Sequence, residues 1–166
     1  LTEYGRPDLA VTIAGQDTYP SWGYMIKKGA TTIWEHWNGD TARPGMNSFN
    51  HVMLLGDLII WYYENLAGIK PDPSVPGFKK IIMAPAFPEN LSHAAATHDS
   101  PYGTISSDWT VTDGALDWTI EVPCNTTATV RVPARFKASI YPAAKSSTVA
   151  GDYVEYVVGS GKYTVK

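Results

Sequence analysis

The stretch Thr110-Val111-Thr112-Asp113-Gly114-Ala115-Leu116-Asp117-Trp118-Thr119-Ile120-Glu121-Val122 decides the fold of the second half of this chain. After the turn, Leu116, Trp118, Ile120 and Val122 alternate with Asp117, Thr119 and Glu121, so the apolar residues all share one side of an extended segment. Before it, Ile105, Trp109 and Val111 oppose Thr104, Asp108 and Thr110. Asp113-Gly114 stands between the two runs, and this dipeptide supplies the two left-handed residues that a two-residue hairpin turn requires. The spacing predicts an antiparallel hairpin with one buried face.

Working outward, Ala128, Val130 and Val132 alternate with Thr127, Thr129 and Arg131, which predicts a third strand of the same kind. Ser160-Gly161, between Tyr153–Val158 and Lys162–Lys166, predicts a second hairpin. Cys124 falls at a strand end and is expected to be a buried, inert thiol. As the single cysteine it excludes an internal disulfide and a thiolate zinc cluster. Several short alternating strands with turn signals predict an antiparallel β-sandwich of jelly-roll-like character.

Towards the N-terminal side the period changes. Pro71, Pro73, Pro76 and Gly77 read as a linker, which places a domain boundary between 1–72 and 73–166. Before it the chain reads helical. Pro7-Asp8 opens a helix reaching Ala14, and Pro20-Ser21 opens a short one stopped by Gly29. The longest is predicted from Ser48 to Leu66, capped by Asn47 or Ser48 and ended by Gly68. Its Leu54, Leu55, Leu58, Ile59, Trp61, Tyr62 and Leu66 cover most of its circumference, so it needs neighbours on several sides. The overall class is α+β.

Composition narrows the function. The net charge of −3, with no basic block, excludes a nucleic-acid binder built on phosphate neutralisation. The apolar run 52–63 is interrupted by Asp57 and is too short to span a bilayer, so no membrane partner is expected. Six Trp and ten Tyr exceed the needs of a core of this size and point to sugar or aromatic ligands.

Those aromatics concentrate in Gly29-Ala30-Thr31-Thr32-Ile33-Trp34-Glu35-His36-Trp37-Asn38-Gly39. Glu35 sits between two indoles, and a carboxylate so placed suits acid/base chemistry at a glycosidic carbon. As a general base it would take a proton from the attacking water, for which it must be ionised. In an extended segment Trp37 shares its side and would stack on a sugar, while Trp34 would turn to the core. Trp22 reads as packing. His51, placed in the first turn of the long helix, could reach a sugar hydroxyl or Glu35, or simply cap the helix. His93 and His98 lack a third ligand at metal-like spacing, so neither a metal nor a cofactor is expected.

In combination, Gly29–Glu35, Asn47-Ser48-Phe49-Asn50-His51 and Ala67-Gly68-Ile69 resemble the end of the catalytic domain of bacterial α-L-rhamnosidases, glycoside hydrolase family 78. Phe78-Lys79-Lys80-Ile81, His98-Asp99-Ser100-Pro101-Tyr102-Gly103, and Trp118–Pro123 with Asn125-Thr126-Thr127-Ala128 resemble that family's C-terminal β-domain. The resemblance implies terminal helices of an (α/α)6 barrel followed by a β-sandwich. It also implies inverting hydrolysis of terminal α-L-rhamnosyl bonds, with Glu35 as general base, His51 contacting the rhamnose, and Trp34 and Trp37 walling the pocket. The family's general acid, a Glu in an acidic, arginine-containing motif, has no counterpart in this sequence.

The start Leu1-Thr2-Glu3 reads as mid-protein, so the chain is expected to be a fragment that is inactive alone. Its partners are expected to be a rhamnose-containing glycan and either the rest of the barrel or a second copy. A periplasmic or extracellular location is expected. An alternative is a non-catalytic β-sandwich module that either binds carbohydrate through Tyr102, Trp109 or Tyr153 or is purely structural.

Overall fold

A computed structural model describes residues 1–43, 45 and 47–166, with the backbone alone for 55 and 57. The side chains of Leu55 and Asp57, which belong to the predicted apolar run, therefore lie outside the described residues. The chain forms two compact units. One comprises Leu1–Trp61 with Pro88–Asn90, and the other Tyr62–Phe87 with Leu91–Lys166.

The first unit is helical and irregular. Helix α1, Pro7–Gly15, has its proline in the first turn, where a missing N–H costs nothing. Helix α2, Trp22–Lys27, is capped by Ser21, whose Oγ accepts the Tyr24 N–H at 2.9 Å. It stops at Gly29 with φ 88°. The segment 88–90 belongs here because the Asn90 amide donates to Asp8 O and Thr12 Oγ1, at 2.9 and 3.1 Å.

The long helix differs from its prediction. It begins not at Ser48 but with a 3₁₀ turn at Val52–Leu54, continues as α3, Leu55–Trp61, and ends in a π-helical turn at Tyr62–Leu66. Residues 47–50 are held elsewhere. Glu35 N–H donates to Ser48 O at 2.9 Å, and His51 N–H donates to Ile33 O at 2.8 Å. With their backbone committed to the 33–35 segment, these residues cannot enter the helix. His51 thus stands just before the helix, its carbonyl accepting the Leu54 N–H at 3.0 Å.

The second unit is a two-sheet sandwich. Its ten strands are β1 Ile69–Pro71, β2 Lys80–Met83, β3 His93–Ser100, β4 Gly103–Thr112, β5 Ala115–Val122, β6 Thr127–Pro133, β7 Ile140–Tyr141, β8 Ser146–Ala150, β9 Tyr153–Val158 and β10 Gly161–Val165. Sheet one has the order β1-β2-β6-β9-β8, and sheet two β3-β4-β5-β10-β7. Every ladder is antiparallel except β2–β6, which is parallel. Asp113 and Gly114 both have positive φ, 50° and 80°, which is the backbone that the β4–β5 hairpin needs.

Three expectations are corrected here. Ser160-Gly161 is not a hairpin turn, because β9 lies in sheet one and β10 in sheet two, so the chain crosses between sheets there. Pro71 is not linker, because it pairs with Ile81 in the β1–β2 ladder. Cys124 is exposed rather than buried. The polar run 93–100 is a strand, β3, at the edge of sheet two.

One cluster of buried side chains joins both sheets, including Ile81, Met83, Val130 and Val158 from sheet one and Ile105, Trp109, Trp118 and Ile120 from sheet two. Trp109 and Trp118 are fully buried, so their indole N–H groups need acceptors. Trp109 Nε1 donates to Leu66 O at 2.7 Å, and Trp118 Nε1 to Ser107 Oγ at 2.9 Å. Ser107 in turn donates to Ala67 O at 2.6 Å. The Leu66 and Ala67 carbonyls are thereby held by side chains of β4. Gly68 follows with φ 76°, and a Cβ there would meet Pro85 N at 2.2 Å, so only glycine fits.

Candidate functional site

The first unit encloses a cavity of about 350 Å³ lined by Trp22, Met25, Ile33, Trp34, Glu35, Trp37, Leu54, Leu58 and Trp61. The walls come from three places: α2, the 33–37 segment and the long helix. Trp37 stands edge-on to Trp22, with ring centroids 5.4 Å apart, and is partly exposed. Trp34 is buried and packs edge-on to Phe49 at 5.8 Å. A Cβ on Gly39 would come within 2.6 Å of the Trp34 ring, so the Asn38-Gly39 turn lets the backbone pass close beneath that indole. Trp61 is oriented by its indole N–H, which donates to Thr2 Oγ1 at 2.8 Å.

Among the described residues lining the cavity, Glu35 is the single carboxylate. The side chain is 41% exposed, so water reaches it. The Ser48 N–H donates to Glu35 Oε2 at 3.0 Å. This bond and the Glu35 N–H bond to Ser48 O clamp one residue at both its main chain and its carboxylate. His51 Nδ1 lies 3.9 Å from the same Oε2. Beside them the Asn47 Oδ1 accepts the His36 N–H at 3.2 Å, fixing the peptide that follows Glu35. An aromatic-walled cleft with one anchored, hydrated carboxylate and an adjacent imidazole can bind a sugar ring and move a proton at its edge.

The structure thus brings together Glu35 and His51, and it puts Trp34, Glu35 and Trp37 around the same cavity. The 33–37 segment is bent rather than a regular strand, so strict alternation does not apply, and Trp34 both packs inward and lines the cleft. Two wall residues escaped the sequence reading. In sequence Trp22 reads as packing and Trp61 as one more apolar helix residue, and no local signal tells which face of a short helix looks into a cleft. In the β-half, Trp109 is fully buried and cannot serve as a sugar platform.

No helix among the described residues is long and apolar enough to cross a membrane. Comparison with known proteins gives the family. Residues 1–66 match the bacterial alpha-L-rhamnosidase 6 hairpin glycosidase domain, and residues 68–146 match the bacterial alpha-L-rhamnosidase C-terminal domain. An alpha-L-rhamnosidase of Alteromonas sp. (strain LOR) is 38% identical over 154 residues, which are 90% of this chain and 16% of that protein. The crystal structure of the Streptomyces avermitilis alpha-L-rhamnosidase complexed with L-rhamnose superposes with a TM-score of 0.86 at 35% identity, covering 99% of this chain and 16% of that one. The alpha-L-rhamnosidase from Dictyoglumus thermophilum superposes at 0.84 with 36% identity, covering 99% of this chain and 19% of that one. The chain therefore spans less than a fifth of the length of the relatives it matches. With one half matching the six-hairpin domain and the other the C-terminal domain, the chain belongs to the bacterial alpha-L-rhamnosidase family.

Proposed function

We propose that this chain supplies the general-base side of a site that hydrolyses terminal α-L-rhamnosyl bonds with inversion. The observation that carries the reading is the Glu35 carboxylate, anchored by the Ser48 N–H at the edge of a cavity walled by four tryptophans. Inversion needs two carboxyls roughly 6.5–9.5 Å apart, one activating a water and one protonating the leaving oxygen. Glu35 takes the first role: it accepts a proton from the water as that water attacks the anomeric carbon. The acid comes from elsewhere in the intact protein. His51 hydrogen-bonds a hydroxyl of the bound rhamnose. Trp34 and Trp37, with Trp22 and Trp61, offer indole faces to the ring carbons and the sugar's methyl group. The helical residues are the barrel's contribution, and the sandwich is an accessory domain.

The test is made on the full-length parent protein, with an aryl α-L-rhamnoside as substrate and circular dichroism as a check of folding. Glu35→Gln should lower kcat by about 10³-fold, the range in which a positioned general base acts. A folded mutant that retains wild-type activity would sink the assignment. The 166-residue chain by itself should show no turnover. Hydrolysis by the purified chain that disappears in Glu35→Gln would overturn that expectation.

A further inference from the structure

A second concavity, of about 410 Å³, lies wholly within the sandwich unit and is lined by Lys79, Lys80, Asn125, Thr126, Thr127, Lys145 and Ser160. Its residues are far apart in sequence and are gathered by topology. In sheet one, β2 and β6 run parallel with Lys80 opposite Thr127, so both strands begin at the same edge. Antiparallel β9 reaches that edge as it ends, with Val158 opposite Ala128. Lys145, just before β8, sits there too, its N–H donating to Val157 O at 2.8 Å. The order β2-β6-β9-β8 therefore lays Lys79 and Lys80 on one side, Lys145 on the other, and Thr127 and Ser160 between. Three strand spacings separate the two sides, roughly 14 Å.

Two of the three ammonium groups, those of Lys79 and Lys145, are positioned by neighbours. Lys79 Nζ donates to Asn125 O and lies 5.1 Å from the centre of the Tyr102 ring. The Lys145 side chain lies over Gly159, where an added Cβ would meet its Cε at 3.0 Å and its Nζ at 3.1 Å. Among the described residues none of the three lysines forms an ion pair, and no carboxylate lines the groove. Asp72, its carboxylate kept ionised by the Ser74 hydroxyl and N–H at 2.7 and 2.8 Å, attracts Lys80 from outside the groove and offsets part of that one lysine's charge. In a protein of net charge −3, three positive side chains around one concavity without an acid create a local positive potential. An oxyanion there relieves their mutual repulsion and gains charge-assisted hydrogen bonds.

We propose that this end of sheet one binds an acidic polysaccharide, with Lys80 and Lys145 gripping its carboxylate or sulfate groups and Asn125, Thr127 and Ser160 meeting its hydroxyls. The open, hydroxyl-lined groove flanked by a tyrosine suits an extended saccharide better than a compact free anion. The inference does not depend on the hydrolase reading, since no residue of the aromatic cleft takes part.

The experiment is affinity electrophoresis of the 166-residue chain in gels containing dextran sulfate, a polyuronate or uncharged dextran. The first two distinguish sulfate from carboxylate as the recognised group, and the third removes the charge from the same sugar backbone. Lys80→Gln/Lys145→Gln is compared with Lys137→Gln/Lys162→Gln, a pair in the same unit that changes net charge equally. Lys79 is left intact because it ties down the Asn125 loop. Retardation is expected in at least one charged gel and not in dextran, with the groove pair weakening it about tenfold and the control pair less than about twofold. Equal weakening by both pairs, equal retardation by dextran, or no retardation in any gel would overturn the proposal.

Discussion

The sandwich unit buries seventeen apolar side chains in one cluster, whereas among the described residues of the aromatic unit only Met25 and Trp34 are buried apolar side chains. That unit instead presents Ile13, Ile26, Val52, Met53, Ile59 and Ile60 to solvent. Its geometry rests on directional ties: the two backbone bonds between 33–35 and 48–51, the Ser48 N–H on Glu35, and the Asn47 amide on the next peptide. The sandwich is stable through buried area, while the carboxylate is placed through hydrogen bonds whose net worth is about 1 kcal/mol each. Such a region sits at the low end of local stability unless its apolar face is covered. We propose that the remainder of the barrel, or a second copy of the chain, covers it.

Four measurements bear on this contrast. The largest concerns stability of the sandwich. Trp118→Ala should destabilise the 166-residue chain by about 3–5 kcal/mol in denaturant melts, because it empties the centre of a dry core. Ile60→Ala, at a site 54% exposed, should change stability by less than about 0.5 kcal/mol. If the two cost the same, the aromatic unit has a core that the burial pattern does not reveal.

Next comes Gly39→Ala, read out by the proposed hydrolysis in the full-length protein. Its methyl drives against the Trp34 ring, so kcat/KM for an aryl rhamnoside should fall roughly 10- to 100-fold while the sandwich melt stays unchanged. Unaltered kinetics would mean that Trp34 does not set the cleft. Ser107→Ala follows. It leaves the Trp118 N–H without its acceptor and Ala67 O without its donor, and should cost about 1–3 kcal/mol in the same melts.

The mildest test is hydrogen exchange of the 166-residue chain. Amides of α1, α2 and α3 should exchange well before those of β4, β5 and β6. Uniform protection across both units would erase the contrast.

The sandwich was legible in the sequence because burial on one face leaves a period of two. Leu116, Trp118, Ile120 and Val122 are all buried, and the hairpin at Asp113-Gly114 forms as its backbone demands. What was not legible is partner choice. Ser160-Gly161 states that the chain turns, not that it leaves one sheet for the other. The parallel β2–β6 pair has no local signature at all, and Ser107 reads as a polar residue until its two partners are known. At the cleft, Glu35 and the flanking indoles announce themselves, but Trp22 and Trp61 arrive from helices whose facing depends on tertiary packing. The helix starts later than its caps suggest for a related reason: Asn47 and Ser48 are good capping residues, yet here their polar groups serve Glu35 and the peptide after it.

The passage of the chain from β9 to β10 also bears on how fast the sandwich can form. The hairpins β3–β4, β4–β5 and β8–β9 join near neighbours and can zip early. The ladders that close each sheet pair Lys80 with Thr127 and Val122 with Gly161, and these must wait for long loops to be ordered first. Folding of this unit should therefore proceed on the millisecond-to-second scale typical of non-local β topologies, with β10 filling the gap between β5 and β7 as a late event.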